Sequence, residues 1–341
     1  MGTSAVAAID NRIEEKFLRE LGPLVRNELK NALTEDVVLN SDGRVWAKRR
    51  GQGFVVIGDM PDYQSRSLIG TVAYMRGNTV VNEKSPLLEC DLPVFGYRFE
   101  AIVPPVVLSP IFAIRRRSED VQTLEDYASS GILTHRNDPA NLLRKRQEYV
   151  KEVEGMDHVA VLMHAVKYRW NVLVAGSTGS GKTTVLNALL EAQTRLAPDD
   201  RTIIIEDTPE LNCKVPNSIA LLSSANFSML DCILASMRLI PTRITVGEVR
   251  GKAAEALIEG WNTGHSGGFA TVHADNAELA LRRLEALVAK ATVAARQSWI
   301  AEAVNLVVYI EKDNSVAAGR KVKEVAVVLG YKNDKYQLAY V

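Results

Sequence analysis

Residues 176–184 read Gly176, Ser177, Thr178, Gly179, Ser180, Gly181, Lys182, Thr183 and Thr184, a G-x-x-x-x-G-K-T pattern directly after the apolar run 171–175. Glycines at these positions admit backbone conformations that a side chain forbids. The loop N–H groups can then turn onto phosphate oxygens, and the helix that follows points its positive N-terminus at the same anion. Lys182 has the reach and charge for the β- and γ-phosphates, and the Thr183 hydroxyl can ligate magnesium. The chemistry implied is the binding of a magnesium–nucleoside triphosphate.

Three later strand ends carry polar residues to the edge where α/β sheets bind ligands. Thr202–Glu206 runs into Asp207, with Glu210 close by. A carboxylate there can position or activate water opposite a γ-phosphate, or it can merely cap the strand. Arg243–Gly247 ends in Glu248, the place of an acid that binds magnesium through water or polarises the attacking water. Arg250 follows, positioned either to pair with Glu248 or to reach a phosphate of a neighbouring subunit. The third segment, Gly264–Ala274, has His265 and His273 flanking a Gly-rich strand. His273, at the strand end, is a candidate sensor of the γ-phosphate. Neither histidine has Cys/His partners spaced for a metal.

The elements that must hold these residues follow from pattern. From Met156 onward, helix and strand signals alternate as in a parallel α/β sheet. Strands are predicted at Asn171–Ala175, Thr202–Glu206, Arg243–Gly247 and Gly268–Val272. Helices are predicted over 181–195, 228–239, 251–263 and 277–291, with strands again over 304–341. Residues 1–118 read as a smaller α+β domain with a mostly antiparallel sheet. It opens with an amphipathic helix over 9–33, whole or split at Gly22-Pro23, then strands near Val37–Leu39, Val45–Trp46, Phe54–Ile57, Tyr97–Val103 and Ile111–Arg115, and a helix over Ser67–Met75. The charged stretch 119–155 reads as an interdomain linker, and 156–341 as the C-terminal domain.

Composition narrows the class. A hydrophobic content of 47% with 24% charged residues belongs to a folded protein with sizeable cores. Lys+Arg 41 balances Asp+Glu 41, which gives no electrostatic footprint for nucleic acid. Cys90, Cys213 and Cys232 show no paired spacing, which points to a reducing compartment. The longest nearly uncharged stretch, Ala101–Ile114, contains Pro104, Pro105 and Pro110 and is too short and broken to span a bilayer. Any work at a membrane is therefore expected to be peripheral.

In order along the chain, these boxes resemble the traffic ATPases of type II and type IV secretion and type IV pili. The wording is most similar to the TrbB-type conjugative-transfer ATPases. The phrases that carry the resemblance are Glu206–Leu211, Gly247–Gly251, Trp261–Gly268 and Leu281–Glu285, together with Leu39–Trp46 and Leu124–Leu133. The resemblance covers roughly 35–330. It implies a RecA-like P-loop NTPase domain preceded by a smaller α+β, PAS-like domain, the two stacked as layers of a ring, usually a hexamer. It further implies ATP and Mg2+ as ligands, with nucleotide between the two domains. An arginine ending the N-terminal domain would contact the phosphates, matched here by Arg115 with Arg98 as a second candidate. Partners would be other type IV secretion ATPases and inner-membrane components at the cytoplasmic face.

In this reading Glu206 activates water, Asp207 orients the site, Thr183 and Glu248 hold magnesium, and His273 links γ-phosphate loss to domain movement. Arginines acting in trans would be Arg238, Arg250 or Arg115. One departure stands out: relatives usually read R-P-D before the second acidic strand, and this chain has Ile240-Pro241-Thr242. A nucleotide-gated assembly scaffold with weak hydrolysis, caused by Thr242 in place of the Asp, is therefore an alternative. A nucleic-acid motor is opposed by the zero net charge, and a GTPase by the lack of an N-K-x-D motif.

Overall fold

The computed structural model describes residues 2–117, 123–133, 142–289 and 296–341; for 2–10 and 142–145 only the backbone is described. The predicted linker is thus only partly covered, and the predicted end of the helix over 277–291 lies outside the described residues.

The first domain is built from α1 (Gly2–Leu29), β1 (Thr34–Leu39), β2 (Arg44–Arg49), β3 (Gly53–Asp59), α2 (Asp62–Met75), β4 (Leu87–Asp91), β5 (Arg98–Ile102) and β6 (Ile111–Arg115). Its six strands form one sheet in the order β3-β2-β1-β6-β5-β4. Every pairing is antiparallel. Phe17, Leu21, Val25 and Leu29 of α1 bury one helical face against Leu68, Ile69 and Val72 of α2 and the inner face of the sheet. The helix bends at Gly22, at φ 74°, before Pro23. Strand β4 lacked a clear alternating signal and was not predicted.

A short helix, α3 (Leu124–Ser129), and α4 (Leu142–Val153) lead into the second domain. That domain comprises α5 (His158–Lys167), β7 (Val172–Ala175), α6 (Lys182–Leu196), β8 (Thr202–Glu206), β9 (Ser218–Leu222), α7 (Met229–Ser236), β10 (Arg243–Val246), α8 (Ala253–Asn262), β11 (Phe269–Val272), α9 (Ala277–Val288), α10 (Gln297–Ala303), β12 (Leu306–Lys312), β13 (Arg320–Lys332) and β14 (Lys335–Tyr340). Its eight strands run in the order β14-β13-β12-β7-β11-β10-β8-β9. Strands β12 to β9 are parallel, and β13 and β14 close one edge antiparallel. The central strands are buried along their whole length, as strands covered on both faces must be.

Helix α4 departs from the linker expectation. Tyr149 and Val153 join the second domain's core with Val161, Val172 and Leu306. The buried Arg146 donates to the carbonyl oxygens of Ala301, Glu302 and Val328. It satisfies orphan carbonyls at the end of α10 that have no intrahelical partner.

The two domains share a core: Val38, Trp46, Ile102 and Val106 pack with Ile219, Leu221 and Phe227. Beside it, the fully buried Arg201 donates to Asn40 Oδ1 at 2.7 Å and to the Leu239 carbonyl at 2.8 Å, and Asn40 donates to Asn217 Oδ1. Among the described residues no carboxylate pairs with this guanidinium, and burial pulls its pKa down to about 9. Among the described residues no helix is long and apolar enough to cross a membrane. None of the cysteines forms a disulfide.

Candidate functional site

The loop 176–181 leaves the end of β7 at the C-terminal edge of the parallel sheet. Glycine is required at its start: a Cβ on Gly176 would stand 2.3 Å from the Ile310 carbonyl oxygen of β12. Gly181, in left-handed conformation at φ 103°, begins α6, whose first N–H groups have no intrahelical acceptor. The loop borders a cleft of about 490 Å3, a volume suited to a nucleotide. The cleft also takes Glu206, Asp207 and Glu210 from the end of β8, Glu248 and Arg250 from the end of β10, and His273 from the end of β11. The P-loop and the three acidic and histidine boxes therefore meet at one edge.

Within the cleft the charges form a chain. Lys182 Nζ donates to the carbonyls of Gly176 and Ser177, both at 2.9 Å, and lies 3.4 Å from His273 Nδ1. His273 Nε2 faces Glu248 Oε1 at 3.2 Å. The other oxygen of Glu248 accepts from Arg250 at 2.7 Å, and Arg250 reaches Asp207 at 3.3 Å. A lysine ammonium is only a donor and a carboxylate only an acceptor. The imidazole that satisfies both carries its proton on Nε2 and offers Nδ1 to the lysine. The hydrogen bond from Arg250, with its charge, holds Glu248 below the usual glutamate range. Burial draws Lys182 below the usual lysine range.

Glu206 is nearly buried, at 5% exposure, and is pinned differently. Its Oε1 accepts from the backbone N–H of Glu210 at 2.9 Å and of Leu211 at 3.0 Å. Burial raises its pKa, against the pull of those two hydrogen bonds. Glu206 also lies against Gly247, where a Cβ would meet its Cγ at 3.1 Å. Asp207 accepts from Ser223 at 2.5 Å. Thr183 donates to Glu210 Oε2 at 3.1 Å.

The residues fit a nucleotide and its cation. Ser180 Oγ is buried within the loop without a hydrogen-bond partner. No group of three or more His, Cys, Asp or Glu side chains among the described residues forms a cage for a metal. Magnesium is commonly held by one or two protein oxygens together with substrate phosphates and water. Thr183 and Glu248, both lining the cleft, would supply such a partial set.

Three arginines expected at the phosphates are elsewhere. Arg98 and Arg115 are cross-strand neighbours on β5 and β6, and they line a separate cavity of about 580 Å3 with Arg238. There Arg238 pairs with Glu89, and Arg115 stands 4.0 Å from Asp36. Among the described residues this cleft is lined by those of the second domain, from Thr178 to Arg320. The nucleotide expected between the two domains would thus meet, among the described residues lining this cleft, those of the second domain.

Two further residues named from the sequence sit away from the cleft. His265 lies at the far end of β11 from His273 and bonds the Pro241 carbonyl through Nδ1 at 3.0 Å. The glycines beside it serve packing: a Cβ on Gly268 would collide with the Ile244 carbonyl oxygen at 1.8 Å. Thr242 precedes β10, at the end of that strand opposite Glu248, and its hydroxyl accepts from the Arg201 backbone N–H at 3.1 Å. It is too remote to orient water or magnesium, so it gives no reason for weak hydrolysis. Arg320, at the start of β13, lines the cleft and was missed. Its distance along the chain from every motif left no signal.

The family described as type II/IV secretion system protein matches residues 147–321. The chain is 38% identical over 326 residues to the conjugal transfer protein TrbB of Rhizobium radiobacter, covering 96% of this chain and 93% of that one. It is 31% identical over 265 residues to the type IV secretion system protein VirB11 of Brucella suis biovar 1, covering 74% and 72%. Its fold matches the crystal structure of the Brucella suis VirB11 ATPase in complex with sulphate, with a TM-score of 0.84, 28% identity, and coverage of 93% of this chain and 95% of that one.

Proposed function

Because the chain belongs to the type II/IV secretion system protein family, we propose that it hydrolyses Mg·ATP as a ring-forming motor of conjugal transfer through type IV secretion. The chain is an ATPase with the RecA-like fold of that family. The observation that carries the proposal is the Lys182–His273–Glu248 chain, which joins the P-loop to the acidic end of β10 across the cleft.

The loop N–H groups and the α6 N-terminus hold the phosphates, and Lys182 leaves its loop carbonyls for the β/γ oxygens. Thr183 and Glu248 would hold magnesium, which supplies charge neutralisation on the phosphate oxygens. Glu206 faces the cleft with its pKa raised and takes the proton of the attacking water, while Asp207 holds Arg250 in place. His273 changes partners when Lys182 moves, and so couples the phosphate state to β11.

We infer assembly from three arginines that do not line the cleft. Arg98, Arg115 and Arg238 line their own cavity away from the cleft. A second copy of the chain would bring them to its neighbour's phosphates, and the family resemblance makes a hexamer the expected closure. We place the ring peripherally at the cytoplasmic face of the inner membrane, beside other secretion ATPases and inner-membrane components. Zero formal net charge gives no basis for direct nucleic-acid binding.

The test is steady-state phosphate release with Mg·ATP, wild type beside Lys182→Ala, across protein concentrations. Turnover that depends on Lys182 and rises per subunit with concentration is expected. Equal background rates in both proteins would overturn the proposal.

A further inference from the structure

The β12–β13 hairpin overhangs the P-loop. Tyr309 of β12 is in register with Ala175, the last residue of β7, so the strand continues past the point where the loop begins. Beyond it, Lys312 pairs across the hairpin with Arg320. Directly opposed residues of an antiparallel pair share a face, and like charges there are destabilising. Among the described residues neither cation has a carboxylate within ion-pair distance.

Both lie against the phosphate loop. A Cβ on Gly179 would meet Lys312 Nζ at 3.5 Å, and one on Gly181 would meet Arg320 Cδ at 2.7 Å. Arg320 Nη1 donates to Thr184 Oγ1 at 3.3 Å. Together with Lys182, three cations converge on a loop that carries no anion of its own.

We propose that Arg320, carried over Thr184 by the β12–β13 hairpin, is a nucleotide-binding residue that contacts the α-phosphate in cis, with Lys312 adding charge from beside it. The position decides which phosphate. With Lys182 assigned to the β/γ end and Thr183 to the cation, the α-phosphate is the one left for a cation bonded to the next residue, Thr184. An arginine fork suits this role because it grips phosphate through two N–H groups at once. The inference rests on the reading of the cleft as an ATP site.

The experiment is equilibrium binding of Mg·ADP and Mg·ATP to the full chain, wild type beside Arg320→Ala, Arg320→Lys and Lys312→Ala, with kcat at saturating ATP. Losing one charge-assisted contact corresponds to roughly 10-fold in Kd. Arg320→Ala is expected to weaken ADP and ATP by that same factor, because the α-phosphate is common to both. Arg320→Lys should recover part of the loss, and Lys312→Ala should show a smaller one. Unchanged ADP affinity in Arg320→Ala, while wild type binds, overturns the inference. A loss confined to ATP and kcat overturns it too, because it moves the contact to the γ-phosphate. If wild type binds neither nucleotide, the reading of the cleft fails instead.

Discussion

Lys182 Nζ lies 3.4 Å from His273 Nδ1, so the P-loop lysine and the end of β11 are in direct polar contact across the cleft. The other ring nitrogen is held by Glu248 at 3.2 Å. One imidazole thus reports on both the phosphate-binding cation and the acid at the end of β10. In the proposed mechanism, phosphate drawing Lys182 away would cost His273 a partner and leave its hold on Glu248. His273→Ala should therefore separate binding from turnover. We expect kcat to fall about 10- to 100-fold with nucleotide Kd changed less than about 3-fold. Single-turnover and equilibrium-binding measurements check this. A variant that loses affinity yet keeps kcat would make His273 a ground-state binding group.

Glu206 and Glu248 are divided by environment. Burial raises the pKa of Glu206, whereas the hydrogen bond from Arg250 lowers that of Glu248. A base needs a proton affinity near the working pH, and Glu206 is shifted in that direction. Glu206 as the proposed base would act only when ionised, so activity should be lost as pH falls through its raised pKa. The acid limb of the pH–kcat profile should then lie above the ordinary glutamate value of 4.5. Glu206→Gln should cost at least about 100-fold in kcat. If Glu248→Gln abolishes turnover while Glu206→Gln is nearly silent, Glu248 is the water-activating group.

The four central parallel strands were legible because each is a short, mostly apolar run followed by chemistry-bearing residues at one edge, whereas β9 has no such residues after it. Thr202–Glu206 has the predicted bounds, and the other three predicted strands run one residue too long. What was not legible depends on distance in the chain. Nothing in Arg320-Lys-Val-Lys marks a cleft residue, because the hairpin register alone carries Arg320 to Thr184. The Gly267-Gly268 pair lies between two histidines in the sequence, yet Gly268 is demanded by contact with the Ile244 carbonyl. Sequence order likewise made Thr242 a neighbour of Glu248, and the length of β10 separates them.

That separation sets a prediction for Thr242. Its backbone and hydroxyl both bond the Arg201 main chain, next to the contact between the two domains. Thr242→Asp should leave kcat within about 2-fold, since no catalytic group lies within reach. Its effect should fall on stability, with Tm shifted by a few degrees through the nearby buried Arg201. Phosphate release and thermal unfolding of the same preparations check this. A large rise in kcat would restore the scaffold reading, in which the native threonine restrains hydrolysis.

Glu100 provides a pH signature of stability. It is buried on β5 with neither carboxylate oxygen hydrogen-bonded, and burial beside Glu89 pushes its pKa up to about 9 from 4.5. In the native chain the acid is neutral through most of the range in which the unfolded chain is ionised. The unfolded state then binds fewer protons, so stability falls as pH rises. The benefit is whole below the unfolded pKa of 4.5, and it is lost progressively toward the folded value near 9. At ~1.4 kcal/mol per pKa unit, moving from pH 5 to pH 8 should remove roughly 2–4 kcal/mol. Glu100→Gln keeps the shape without the ionisation and should flatten that slope, making the variant the more stable protein at pH 8. Urea unfolding of both proteins at the two pH values measures it. Equal slopes would mean that Glu100 is ionised in the native protein, held by Arg98, Arg115 or Arg238 in the same cavity.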